Sequence, residues 1–167
     1  MKSIFFLAFY AILGSIQTNL PTNVIVGQHQ LSLEEAERIL GESAILKERT
    51  NDTKNDMYVS KTTFTAKAVE EKTQKQGNVY YMIERYTTEE DATKTIQSFI
   101  ESNQNDKGFE LLADCGDQAF FHTDKHNFCL IVVRKANKMI RIKVNKVTAK
   151  TSFVEVRKIG KELMGRL

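Results

Sequence analysis

The most regular pattern of apolar and polar positions in this chain lies between Phe109 and Val147. Its densest part is FCLIVVRKANKMIRIKV, Phe128 to Val144. Phe128 to Arg134 is almost entirely β-branched, aliphatic or aromatic, and Ile140, Ile142 and Val144 alternate with Met139, Arg141 and Lys143. A period of two marks a strand with a buried face, so the stretch predicts two strands. Ala136-Asn137 is the two-residue turn between them, with Asn supplying the left-handed conformation of a tight hairpin. That turn pairs Val133 with Ile140, Ile131 with Ile142 and Cys129 with Val144, and directly opposed residues share a face. The other row of the first strand, Phe128, Leu130 and Val132, is apolar too. A strand apolar on both sides belongs inside a sheet, covered above and below. Gln118 to Thr123 adds a third antiparallel strand through the polar turn Asp124 to Asn127.

The remaining elements follow from local signals. Ser32 and Glu35 form a capping-box pattern, Leu33, Ala36, Ile39 and Leu40 share a helical face, and Gly41 stops the helix. Lys47 to Asp56 contains no apolar residue and reads as a solvated loop. Met57 to Ala66 and Val79 to Tyr86 read as a hairpin with a long polar connection. Thr88 opens a helix with Glu89, Glu90 and Asp91 in its first turn and Ala92, Ile96, Phe99 and Ile100 as its apolar stripe. Phe109 to Ala113 is a short strand, and Ser152 with Glu155 opens a last helix whose apolar side is Phe153, Val156, Gly160, Leu163 and Leu167. The fold class expected is α+β: a mainly antiparallel sheet of about five to six strands covered by three helices, sandwich-like in the α/β/α sense.

The chain has 167 residues, enough to bury one core without disulfide or metal staples. Lys2, the apolar run Ile4 to Leu13 and the small residues Gly14-Ser15 have the layout of a secretory signal peptide, here residues 1–20. The run is short of the roughly 20 residues needed to span a bilayer, so no integral membrane span is expected. Residues 21–30 read as a linker and 31–167 as a single α+β domain. The expected location is secreted, periplasmic or cell-envelope. No cysteine follows the apolar run to take a lipid anchor.

The element order, with GDQAFF before a hairpin reading LIVVRKANKMIRIKV and a closing helix, resembles small exported bacterial proteins of the PsbP/Mog1-type α/β sandwich. LSLEEAERILG is similar to the opening helix of several small envelope-lipoprotein families. The likeness spans about residues 30–167 and implies a binding or assembly role. It carries over no catalytic residue and no cofactor.

Charge sharpens that picture. The net charge is +3, yet residues 1–124 hold 12 Lys and Arg against 19 Asp and Glu, a balance of −7. Residues 125–167 hold 12 against 2, a balance of +10. Such a split points to an anionic surface or glycan, or an unknown protein, as partner. Arg141 and Lys143 share a strand face, with Lys138 and Lys146 close in sequence, and these four are the candidate binding residues. The plain alternative is that the acidic half neutralises them internally. Export and the lack of a nucleic-acid motif make nucleic acid an unexpected partner.

Two further clusters carry chemistry. Cys115 and Cys129 lie about 23 Å apart along paired strands, beyond the roughly 7 Å that a disulfide tolerates. His122, Asp124 and His126 are metal-ligand types, but the turn between them breaks their alignment. In the register read here His122 falls opposite Cys129, a Cys–His pair of the kind that activates a thiol. A small metal-dependent or Cys–His hydrolase centred on residues 122–129 is therefore the alternative. The leading expectation is a non-enzymatic exported binding or assembly module, because the chain has no G-x-S-x-G, P-loop, H-E-x-x-H or dinucleotide fingerprint.

Overall fold

The computed structural model describes residues 30–54 and 56–167, so the expected signal peptide and residues 21–29 of the linker lie outside the described residues. In chain order the elements are α1 (Leu33–Leu40), β1 (Ala44–Lys54), β2 (Met57–Ala66), β3 (Asn78–Arg85), α2 (Glu89–Asn103), β4 (Phe109–Leu111), β5 (Gln118–Thr123), β6 (Phe128–Lys135), β7 (Lys138–Asn145) and α3 (Phe153–Gly165). The strands form one antiparallel sheet in the order β1-β2-β3-β7-β6-β5-β4. The α+β class is as expected, with seven strands rather than about five to six.

The helices begin and end where their caps dictate. Ser32 Oγ accepts from the Glu35 amide at 3.1 Å while Glu35 Oε2 accepts from the Ser32 amide at 2.8 Å, a complete capping box. Gly41 closes α1 at φ +70°, and a Cβ there would sit 2.3 Å from the Lys150 carbonyl oxygen. Only glycine meets both conditions. Thr88 and Ser152 cap α2 and α3 by accepting from the Asp91 and Glu155 amides.

The β6–β7 hairpin has the expected register: Val133 opposite Ile140, Ile131 opposite Ile142, Cys129 opposite Val144. Its turn differs in one respect. Positive φ falls on Ala136 (49°), not on Asn137. Positive φ at the first central position alone is the type II′ pattern. Asn137 is used otherwise, its Nδ2 donating to Tyr86 O at 2.7 Å and its carbonyl accepting from the Tyr86 amide at 2.8 Å. Ala136 is fixed by its amide donating to Asp117 Oδ2 and its carbonyl accepting from Arg134 Nη1.

α1 and α3 lie on one face of the sheet over Phe64, Tyr81, Ile131, Val133, Ile140, Ile142 and Val144. On the other face Ala92, Ile96 and Ile100 of α2 cover Phe120, Val132 and Met139. Strand β6 is thus interior on both sides, with Ile131 at 0% and Val132 at 1% exposure. α2 reaches only the β6–β7 side of its face. Beyond it Glu48, Thr50, Lys61, Thr63, Tyr80 and Met82 line an open concavity of about 330 Å³.

Lys47 to Asp56 is not a loop. Residues 44–54 form the outer edge strand β1, paired with β2 from Ala44↔Ala66 to Lys54↔Met57 with a bulge between Leu46 and Glu48. The ladder rather than burial holds it, since beyond Ala44 every described side chain of β1 is exposed. A polar, charged edge with a bulge also discourages edge-to-edge pairing with other chains.

Gly160 lets α3 pack closely on Ile131: a Cβ at Gly160 would lie 2.7 Å from Ile131 Cδ1 and 3.2 Å from its Cγ2. Ile131→Ala lowers unfolding free energy by roughly 2–5 kcal/mol, the range for truncating a buried isoleucine. Gly160→Ala costs about 1–3 kcal/mol through overpacking, despite alanine's better helix propensity. Ile131→Val removes the contacting Cδ1, so the double variant Gly160→Ala/Ile131→Val is less destabilised than the sum of the two singles. Urea denaturation of the four proteins checks this, and strict additivity would show that the two residues do not meet.

Candidate functional site

The turn joining β5 and β6 holds the residues with the most chemical promise in the sequence, and its geometry decides what they can do. Asp124 Oδ1 accepts from the amides of His126 (3.0 Å), Asn127 (2.7 Å) and Phe128 (3.1 Å). Its Oδ2 accepts from Asn127 Nδ2 at 2.7 Å. The Asn127 amide foremost, helped by these other donors, holds the Asp124 carboxyl well below the usual aspartate range. Thr123 Oγ1 donates to the Phe128 carbonyl at 2.6 Å. Phe128 is thereby drawn into the turn, and the first pair of the β5–β6 ladder after it is Thr123↔Cys129.

That pairing differs by one residue from the register read in the sequence, and a one-residue slip turns a side chain to the opposite face. His122 pairs with Leu130, not Cys129. Its ring lies on the α2 face, edge-on to Phe128 at 5.1 Å and to Phe109 at 6.0 Å, with Nε2 4.0 Å from Asp106 Oδ2. Cys129 lies beneath α1 and α3, 0% exposed, its thiol pushed up to about 12 by burial. The two cannot act as a nucleophile and its base, and the thiol stays protonated at neutral pH. Cys115 and Cys129 are both free and buried.

The three suggested metal ligands take separate tasks. His122 is an aromatic wall residue and Asp124 caps its own turn. His126 is exposed, with its carbonyl accepting from Lys75 Nζ at 2.8 Å. Among the described residues no three His, Cys, Asp or Glu side chains gather as a ligand set.

The candidate basic residues also part company. Arg141 lies on the α2 face with Nη2 2.7 Å from Glu84 Oε2 and its guanidinium 4.5 Å above the Phe99 ring. The ionic contact is close but poorly directed, since Glu84 Oε2 and Arg141 Nε both lack a well-aligned hydrogen bond. Burial raises the Glu84 carboxyl above its ordinary value and outweighs the neighbouring arginine. Lys143 shares the Arg141 face but is exposed, its Nζ 5.9 Å from the Phe128 ring centre. Lys138 is at the opposite end of β7, donating to Leu167 O at 3.0 Å. Lys146 lies beyond the strand, exposed, at φ 56°.

Across the described residues, five of the twelve basic side chains after Asp124 are paired with carboxylates from the acidic part of the chain: Arg134, Arg141, Lys150, Arg157 and Arg166. The cations outside these pairs include a group that the sequence did not reveal, because two of its members come from another loop. Lys72 and Lys75 of the β2–β3 connection meet Lys125 and His126 of the β5–β6 turn and Val147 to Ala149 after β7 around a cleft of about 350 Å³. The signal that could have found it is topological: all three loops follow from the β2-β3-β7-β6-β5 order and emerge at one end of the sheet.

No family model, curated protein or solved structure matches this chain. Among the described residues no helix is long and apolar enough to cross a membrane.

Asp124 provides a direct check on the turn. Asp124→Ala lowers stability by about 0.5–2 kcal/mol, toward the low end because the turn is exposed. A depressed folded-state pKa gives stability that is present above the ordinary aspartate value near 4 and lost as pH falls below it. The gap between wild type and variant in chemical denaturation therefore narrows as pH drops from about 4 toward 2. A gap constant over that window would show that the carboxylate charge contributes nothing to the turn.

Proposed function

We propose that this chain is an exported, non-enzymatic binding module that recognises an anionic glycan through the loop end of its sheet. The observation that carries this reading is a group of lysines outside ion pairs that gathers, with Glu70, around one cleft. Lys72, Lys75 and Lys125 surround one cleft, Lys146 is one residue from its wall, and Lys143 lies toward the same end of β7. Of the four basic residues singled out in the sequence, Lys143 and Lys146 belong to this surface. Arg141 is largely met by Glu84, and Lys138 lies at the far end. A glycan suits the site better than a flat bilayer because the lysines surround a concave cleft rather than a flat face. The resemblance to PsbP/Mog1-type proteins read from the sequence adds fold-level analogy and nothing more specific.

No observation favours the hydrolase reading, since His122 and Cys129 lie on opposite faces. The open concavity near Tyr80 mixes Glu48 with Lys61 and has no charge preference of its own.

The test is retention on immobilised heparin. Wild type is retained at low salt and released as salt rises, because binding a polyanion releases counterions. Lys125→Glu/Lys146→Glu elutes at least twofold lower in salt, while Arg141→Gln elutes as wild type does. No retention at low salt, or equal loss in both variants, would overturn the proposal. So would preferential binding to anionic lipid vesicles over heparin.

A further inference from the structure

The cleft at the loop end already holds an anion of the chain's own. Glu70 Oε1 accepts from the Ala149 amide at 3.0 Å, and its other oxygen accepts a short hydrogen bond from Thr73 Oγ1. These two donors come from different loops, one after β2 and one after β7, and they converge on one carboxylate. Lys75 and Lys150 add attraction, and the Thr73 hydroxyl above all holds the Glu70 carboxyl below the usual glutamate range. Lys150 is otherwise engaged, its Nζ 2.8 Å from Glu42 Oε2. Lys72 and Lys125 are in no ion pair among the described residues, and both line the same cleft.

Lys125 and Lys146 lie on adjacent loops, both at positive φ, 68° and 56°. The loops are joined by the Val147 amide donating to Asn127 O at 3.3 Å.

Resting on the glycan-binding reading above, we propose that this cleft is a subsite for one sulfate or phosphate ester group, and that Glu70 is the internal anion which such a group displaces. A tetrahedral oxyanion has the same needs as the carboxylate now there: the Ala149 amide, the Thr73 hydroxyl and nearby ammonium groups. A phosphate ester carries more charge than Glu70 near neutral pH and a sulfate ester carries one charge over three oxygens instead of two, so either can also reach Lys72 and Lys125, which the carboxylate does not engage. The like charge of Glu70 opposes entry, so the wild-type subsite binds a lone oxyanion weakly. The glycan chain supplies the remaining contacts. Glu70 thereby sets a threshold, favouring a three-oxygen ester that reaches more of the donors over a lone carboxylate that only matches what Glu70 already offers.

Inorganic phosphate is the probe, titrated into the full chain at low ionic strength and followed by backbone amide NMR shifts. Saturable shifts are expected at residues 70–75, 125–127 and 147–149. Glu70→Gln keeps the shape and removes the competing charge, so it tightens phosphate binding about 3- to 10-fold, the effect of one unit charge about 4 Å away when bulk water screens it. Lys125→Glu weakens it at least tenfold in either background. Non-saturating or scattered shifts, or a folded Glu70→Gln variant that binds no tighter than wild type, would overturn the subsite. If phosphate fails in this way while heparin retention still depends on Lys125 and Lys146, the subsite falls and the glycan reading stands. If heparin retention fails too, both fall.

Discussion

The structure depends on one requirement: both faces of β6 must be dry. Ile131 and Val133 face α3, while Leu130 and Val132 face α2, and fully burying an aliphatic side chain is worth about 1.5–3 kcal/mol. A strand with two apolar rows cannot sit at an edge or under a single layer of helices. It needs hydrogen-bonded neighbours on both sides, which β5 and β7 supply, and helices above and below. Gly160 is the residue that lets α3 descend onto Ile131, because any side chain there would push the helix away from the strand it must cover. Farther from β6 the requirement relaxes. β1 is almost wholly exposed, and α2 leaves the β1–β3 half of its face open.

Charge is arranged around that core in a way its linear order conceals. The acidic first part and the basic last part of the sequence are interleaved in space, because β3 pairs with β7 and both helices on one face come from opposite ends of the chain. Glu84 meets Arg141, Glu110 meets Arg157, Glu35 meets Arg166 and Glu42 meets Lys150. Most of these contacts are partly exposed and each contributes little stability. Their consequence is spatial: with the Arg134 pairs they meet five of the basic side chains after Asp124, and the cations that escape them include the loop lysines.

How much of this was legible in the sequence varied with the physical cause. Elements specified by apolar periodicity or by caps, such as β6, β7, α2 and the Ser32 capping box, were readable with their register. β1 was not, because its pairing comes from backbone ladder bonds to β2 and leaves no apolar signature in Lys47 to Lys54. The β5–β6 register was missed by one residue, since Asp124 and Thr123 draw Phe128 into the turn through side-chain bonds that no pattern of hydrophobicity encodes. The same limit hid the candidate site. Lys72 and Lys75 are some fifty residues from Lys125 and His126 in sequence, and only the strand order places their loops at one end.

That origin also explains why the loop end, not the strand face, is the place for a charged ligand. A side chain in a ladder has cross-strand neighbours about 5 Å away on the same face. On the open face Lys61 stands opposite Thr50 and Met82, with Glu48 and Glu84 one step along, and Arg141 is held by Glu84, so carboxylates are interspersed among its cations. Loops are not bound to that spacing. Glu70 and Asp124 satisfy the local amides by turning inward, and this leaves Lys72 and Lys125 projecting without an ion-pair partner among the described residues. The carboxylates that could have neutralised the loop end are spent on its backbone.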